Sequence, residues 1–205
     1  MFISHTWLTS LTGLTLLGTT TASPAPDKTT LAPRACSTIG PSIIDVLYAS
    51  TGDNANPGQY FTLARGGNPA YNTIKSALTF EYIPAGATGC MLAVEFPVLD
   101  QDEEIATGPS VTAEVWSTAP WTWNNLPTYN NPPQKDQMVG TVNFPTQKTT
   151  SVFKTIVASD TCEPVMSFLV EHSGWQQGEG TVHFYNTLGW KVGLEPIGFS
   201  LIYNC

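Results

Sequence analysis

The chain has 205 residues, enough for one well-buried core and too few to require two. Its 8 Lys+Arg against 16 Asp+Glu leave a formal net charge of -8. That argues against nucleic acid and anionic lipid surfaces as partners, because both are held by basic side chains that neutralise phosphates. Charged residues make up 12% of the chain, against roughly 25% in ordinary soluble domains, a balance common in extracellular β proteins rich in Ser, Thr, Asn, Pro and Gly.

The N-terminus reads as an export signal. An apolar, Thr-rich run over 7–17 is followed by Gly18, Thr19, Thr20, Thr21 and Ala22, small residues suited to cleavage after Ala22. The run is shorter than the ~20 apolar residues needed to span a bilayer. Residues 1–22 are therefore expected to be a signal peptide and 23–34 (SPAPDKTTLAPR) a disordered leader with little to bury. Trimming after Arg34 would remove Asp27, Lys28 and Arg34 and shift the charge from -8 to -9.

Residues 35–205 are expected to form a single domain. Cys36, Cys90, Cys162 and Cys205 all lie within it, and an even number of cysteines in an exported chain points to disulfides. Four cysteines allow three pairings. Cys90 and Cys162 each precede an apolar strand-like run while Cys36 and Cys205 bracket the domain, so the expected pairs are Cys90 with Cys162 and Cys36 with Cys205. Without a Cys-x-x-Cys the zinc alternative has no local support.

From Cys36 onward, apolar residues alternate with period two between Gly, Pro and Asn punctuation, which predicts strands joined by turns. Segments 43–48, 60–64, 76–83, 91–96, 111–115, 139–144, 152–157, 166–170, 182–185 and 199–203 fit this pattern. In 76–83, Leu78, Phe80 and Tyr82 are expected on one face and Thr79 and Glu81 on the other. Many short strands with one wet face each imply an all-β, antiparallel, disulfide-linked sandwich or jelly roll.

Residues 116–133 (WSTAPWTWNNLPTYNNPP) concentrate the candidate binding chemistry. Indole and phenol faces of Trp116, Trp121, Trp123 and Tyr129 can stack on sugar rings, and amides such as Asn124 and Asn125 supply both donors and acceptors to hydroxyls. Alternation puts Trp121 and Trp123 on one side. The competing reading is that these rings plug one end of the sandwich.

Other motifs carry less. Asp100, Asp102 and Glu104 alternate as in a calcium loop, but Ile105 replaces the glycine of an EF-hand, and a solvated acidic turn is the plainer reading. His172 and His183 with Glu171 or Glu179 would be a metal set only if distant strands met. Glu81, Glu95, Glu114 and Glu171 lie in candidate strands, so a pair facing across a cleft would make a glycoside hydrolase the enzymatic alternative. A structural or host-facing secreted protein is the third reading. A monomer without cofactor or metal is expected, with extracellular or cell-wall polysaccharide as the candidate partner.

The Arg-Ala-Cys opening at residues 34–36, PAGATGCMLAVEFP at 84–97, WSTAPWTWNN running to MVGTVNF at 138–144, and the strand after Cys162 together resemble the fungal But-two C-terminal domain family. The resemblance implies a β-sandwich in secreted or wall-associated fungal proteins, without catalytic residues to carry over. The family is named for binding a ubiquitin-like protein, a partner that an exported acidic chain would seldom meet. TWNNLP at 122–127 is also similar to a motif of bacterial extracellular carbohydrate-binding domains.

Overall fold

The computed structural model describes residues 35–67, 71–109, 111–176, 178–188 and 195–205. The expected signal peptide and leader lie outside them. Thirteen strands form among the described residues: β1 (Ser37–Ile39), β2 (Ile43–Tyr48), β3 (Pro57–Gly58), β4 (Tyr60–Gly66), β5 (Tyr71–Phe80), β6 (Cys90–Phe96), β7 (Ala106–Thr107), β8 (Val111–Thr118), β9 (Lys135–Phe144), β10 (Phe153–Asp160), β11 (Met166–His172), β12 (Gly180–Tyr185) and β13 (Gly198–Tyr203). A single 3-10 turn, Ala49–Thr51, is the one helical element among the described residues.

Every strand pair is antiparallel. One sheet has four strands in the order β1-β13-β6-β10; the other has nine, running β7-β12-β4-β5-β11-β8-β9 with β2 beside β5 and β3 beside β2. Their inner faces close over one large core, giving the expected antiparallel, sandwich-like fold. Phe61, Phe144 and Phe184 of the larger sheet pack against Phe96 and Phe199 of the smaller, with Phe61–Phe199 centroids 5.1 Å apart and Phe96–Phe184 5.0 Å apart. Each phenylalanine sits at an inward position of its strand, so the period-two pattern places the core directly.

Both disulfides have the expected pairing, with Cα–Cα distances of 4.4 Å for Cys36–Cys205 and 5.1 Å for Cys90–Cys162. Each extends a strand ladder of the smaller sheet. Cys36 and Cys205 flank the β1–β13 register, in which Ser37 faces Tyr203, and Cys162 lies two residues past Asp160, the register partner of Cys90. On the other side, β9 of the large sheet meets a bulge in β10. A Cβ on Gly140 would lie 2.2 Å from the carbonyl oxygen of Val157, so only glycine permits this approach.

Two expectations about faces need correction. β5 ends at Phe80, and Tyr82 does not join Leu78 and Phe80 but turns out with φ 63° and 88% exposure. Glu81 therefore also lies just beyond the strand. Nor do the central strands keep a wet outer face: Thr79 and Ser167 are buried beside Ile43, Leu47, Ala77 and Leu169, which form a second, smaller core with Trp121. The chain after β8 folds back over this face and excludes water from it.

Candidate functional site

Residues 119–134 connect β8 to β9 and are closed at the base by a hydrogen bond from the Ala119 N–H to the Gln134 carbonyl (3.1 Å). Two tight turns stiffen the connection. In the first, Asn125 Oδ1 accepts from the Thr122 N–H (2.8 Å) and the Asn125 N–H returns to the Thr122 carbonyl (3.0 Å). In the second, Asn131 N–H donates to Thr128 Oγ1 (3.1 Å) and Thr128 N–H to the Asn131 carbonyl (3.1 Å). Both are side-chain-to-backbone turns of the kind Asn and Thr favour.

The tip is tethered to the turn after β2. Asn130 donates from its backbone to the Gly52 carbonyl (2.9 Å) and from its amide to Asp53 Oδ1 (2.8 Å). A side chain at position 52 would collide with the Asn130 amide.

The six candidate binding residues separate into three settings. Trp121 is 3% exposed and packs into the small core, where its backbone N–H meets Ser167 Oγ (3.3 Å). Trp116 lies in β8 and Tyr129 in the loop, both half-buried, with ammonium groups over their faces: Lys135 Nζ is 4.5 Å from the Trp116 centroid and Lys75 Nζ 5.6 Å from that of Tyr129. Trp123, at 57% exposure, stands in solvent with Asn124 and Asn125. Trp121 and Trp123 thus take opposite sides, because the Thr122–Asn125 turn breaks the extended alternation that the sequence pattern assumes.

Beside the buried indole lies a groove of ≈ 270 Å³ whose lining includes Pro120, Trp121, Asn125, Leu126, Asn131 and Gln134. The Trp121 Nε1–H is buried and has no acceptor. A buried donor without a partner is costly, and the packing of the ring into the small core has to offset that cost.

The two lysines converge on Glu171, Lys75 at 2.8 Å from Oε2 and Lys135 ion-paired to Oε1. Burial works to raise the Glu171 pKa, but hydrogen bonds from Lys135 and Lys75 and their charges prevail and hold it below the usual carboxylate value. Glu171 also faces Glu114 directly across the β8–β11 ladder. These are two of the four acids considered for hydrolysis, yet both Glu171 oxygens are engaged by lysines, and Glu114 Oε1 accepts from the Gly174 N–H (3.0 Å). Lys75, Glu171 and Lys135 join β5, β11 and β9 beneath the loop, and the arrangement clamps strands. Glu95 lies on the other sheet, paired with Lys154 at 2.6 Å.

The acidic run after β6 is used locally. Glu104 Oε2 accepts from the Asp100 and Gln101 N–H groups (3.1 and 3.4 Å), and Asp102 Oδ1 from the Lys148 N–H (3.0 Å). His172 is buried, and burial pushes its pKa down. His183 is exposed on β12. No group of three potential metal ligands gathers among the described residues.

Several exposed aromatics lie outside these motifs. Tyr60, in contact with both His183 and Tyr185, forms a cluster with them on β4 and β12, and Trp175 protrudes after β11. The first group was available from parity alone, since Phe61 and Leu63, and Val182 and Phe184, point inward. Compared with protein-family models, the chain matches none. No curated protein matches it either. Two disulfides close the fold, and among the described residues no helix is long and apolar enough to cross a membrane.

Proposed function

We propose that this chain is a secreted, non-catalytic extracellular or wall-associated module that binds a neutral polysaccharide at the 119–134 loop. The observation that carries this reading is the stiffened groove beside Trp121, whose lining sets Asn125, Asn131 and Gln134 among apolar proline and leucine surface. That mixture suits a sugar, which offers hydroxyl oxygens on its edge and C–H groups on its faces. Trp123 stands nearby on the same turn with its ring free to stack. The net charge of -8 favours a neutral ligand over an anionic one, and the paired cysteines fit an oxidising compartment. The resemblance to the fungal But-two C-terminal domain family points to the same setting.

The test is retention on insoluble β-1,3-glucan and chitin and mobility shifts in mannan gels, using wild type, Trp123→Ala and Gln134→Ala. Both side chains are exposed and neither belongs to the small core. Both variants are expected to bind about tenfold more weakly with unchanged folding, a loss of about 1.4 kcal/mol. Wild-type affinity in both would reject the loop as the contact surface.

A further inference from the structure

The loop covers only the central part of the large sheet's outer face. Over β4 and β12 that face is open, and there Tyr60 and Tyr185 stand directly opposite each other in register, as do Thr62 and His183. Their inward neighbours Phe61, Leu63, Val182 and Phe184 belong to the main core, so these four side chains point away from it. The Tyr60 and His183 rings lie parallel with centroids 5.4 Å apart, and Tyr185 meets Tyr60 edge-on at 5.0 Å. His183 Nδ1 is hydrogen-bonded to Thr62 Oγ1 (2.9 Å), which fixes the imidazole orientation. Despite this mutual packing, Tyr60 remains 54% and Tyr185 37% exposed.

The chemistry of the patch narrows its occupant. Tyr60, Thr62, Ala64, Thr181, His183 and Tyr185 include no carboxylate and no basic amine, so nothing there selects an ionic ligand. Ring carbons bordered by hydroxyls and an imidazole nitrogen match the alternating C–H and O–H surface of a sugar. A second copy of the chain is disfavoured by size. Three partly exposed rings supply far less than the ~800 Å² per partner that a stable protein interface covers.

We propose that the Tyr60–His183–Tyr185 cluster is a second contact site for the same neutral polysaccharide, so that one polymer chain lying on the outer face engages both the loop groove and the rings. This inference rests on the groove being a glycan site. Its particular claim is that polymer affinity exceeds what the groove alone provides, because the second contact becomes intramolecular once the first has formed.

Binding of wild type, Tyr60→Ala, Tyr185→Ala, Tyr60→Phe and Trp123→Ala to insoluble β-1,3-glucan, chitin and soluble mannan tests it, with polygalacturonate as the anionic control and sedimentation velocity on each protein. Tyr60→Ala and Tyr185→Ala are expected to weaken polymer binding about tenfold at unchanged thermal midpoint, while Tyr60→Phe, which keeps the ring, stays within about twofold of wild type. If both alanine variants bind as wild type while Trp123→Ala is weakened, the ring site is wrong and the groove stands. A wild type retained by no neutral polysaccharide overturns both. Self-association that disappears in Tyr60→Ala assigns the rings to a second copy and overturns the proposal.

Discussion

The Thr79 hydroxyl donates to the carbonyl oxygen of Trp121 across 2.9 Å of fully buried space, and the same hydroxyl lies 2.9 Å from Ser167 Oγ. A threonine on β5 and a serine on β11 thereby anchor the loop at the residue whose ring fills the small core. Thr79→Val keeps the shape but strands the Trp121 carbonyl without its donor. Leaving such a group buried and unpaired costs roughly 1–3 kcal/mol. Urea unfolding should show that loss in the variant, and a red-shifted tryptophan emission before the main transition would mark release of the loop ahead of global unfolding.

Asp45 should make stability fall with rising pH. It is fully buried on β2; Oδ1 accepts the Asn56 N–H at 2.7 Å, and Oδ2 has no partner. Burial lifts its pKa to about 6, against the lowering effect of the Asn56 hydrogen bond. Because the folded pKa lies above the unfolded value of 3.8, the native state holds the proton more tightly. The stabilisation is complete below about pH 4, is lost as pH rises to about 6, and is worth on the order of 3 kcal/mol across that window. Asp45→Asn retains an acceptor for Asn56 and cannot ionise. Its stability relative to wild type should therefore increase from pH 4 to pH 6.5 and then level off. Glu171, with its lowered pKa, contributes in the opposite sense, which is why the difference between variant and wild type is the quantity to measure by denaturant titration.

Period-two alternation made the ten expected strands and most of the main core legible, because inward residues such as Phe61, Phe96 and Phe184 meet one continuous apolar interior. It misjudged Thr79 and Ser167 for a physical reason. Alternation says that two faces differ, not what covers the second, and here the cover is a distant loop carrying its own tryptophan. Tyr82 shows a related limit, since the pattern continues in sequence past the point where the backbone stops being extended. Within the loop, the Thr122–Asn125 turn cancels the parity that would have kept Trp121 and Trp123 together. The facing of Glu114 and Glu171 depends on register between strands far apart in the chain, which one sequence does not encode locally. Short strands such as β3 and β7 exist mainly through their pairing partners and leave no pattern of their own.

Breaking the disulfides should separate by loop length. Cys36–Cys205 spans 169 residues of sequence and Cys90–Cys162 spans 72. Restriction of the unfolded chain by loops of this size is worth about 5 and about 4 kcal/mol respectively. Cys36→Ser/Cys205→Ser is therefore expected to lower the thermal midpoint somewhat more than Cys90→Ser/Cys162→Ser. A mass increase on thiol alkylation of the untreated, denatured protein would show that the bridges are not formed in the native molecule.

Gly140 tests how the two sheets meet. It faces Val115 in the β8–β9 ladder, at the edge of a bulge, and approaches the Val157 carbonyl within the bulge of β10. The nearest obstruction to a new side chain is backbone, which cannot swing aside as a flexible side chain would. Gly140→Ala should force β9 and β10 apart at the expense of both bulges, a strain of roughly 1–3 kcal/mol by analogy with overpacked interiors. An exposed glycine with open space around it, Gly86, has φ 82° and no atom within 4 Å of a new Cβ, so Gly86→Ala isolates backbone strain without collision. If Gly140→Ala were no less stable than wild type, the close contact between the two edge strands would be wrong. In that case hydrogen exchange at the Val157 and Gly140 amides should be fast in the wild type as well, because nothing would then shield that edge from water.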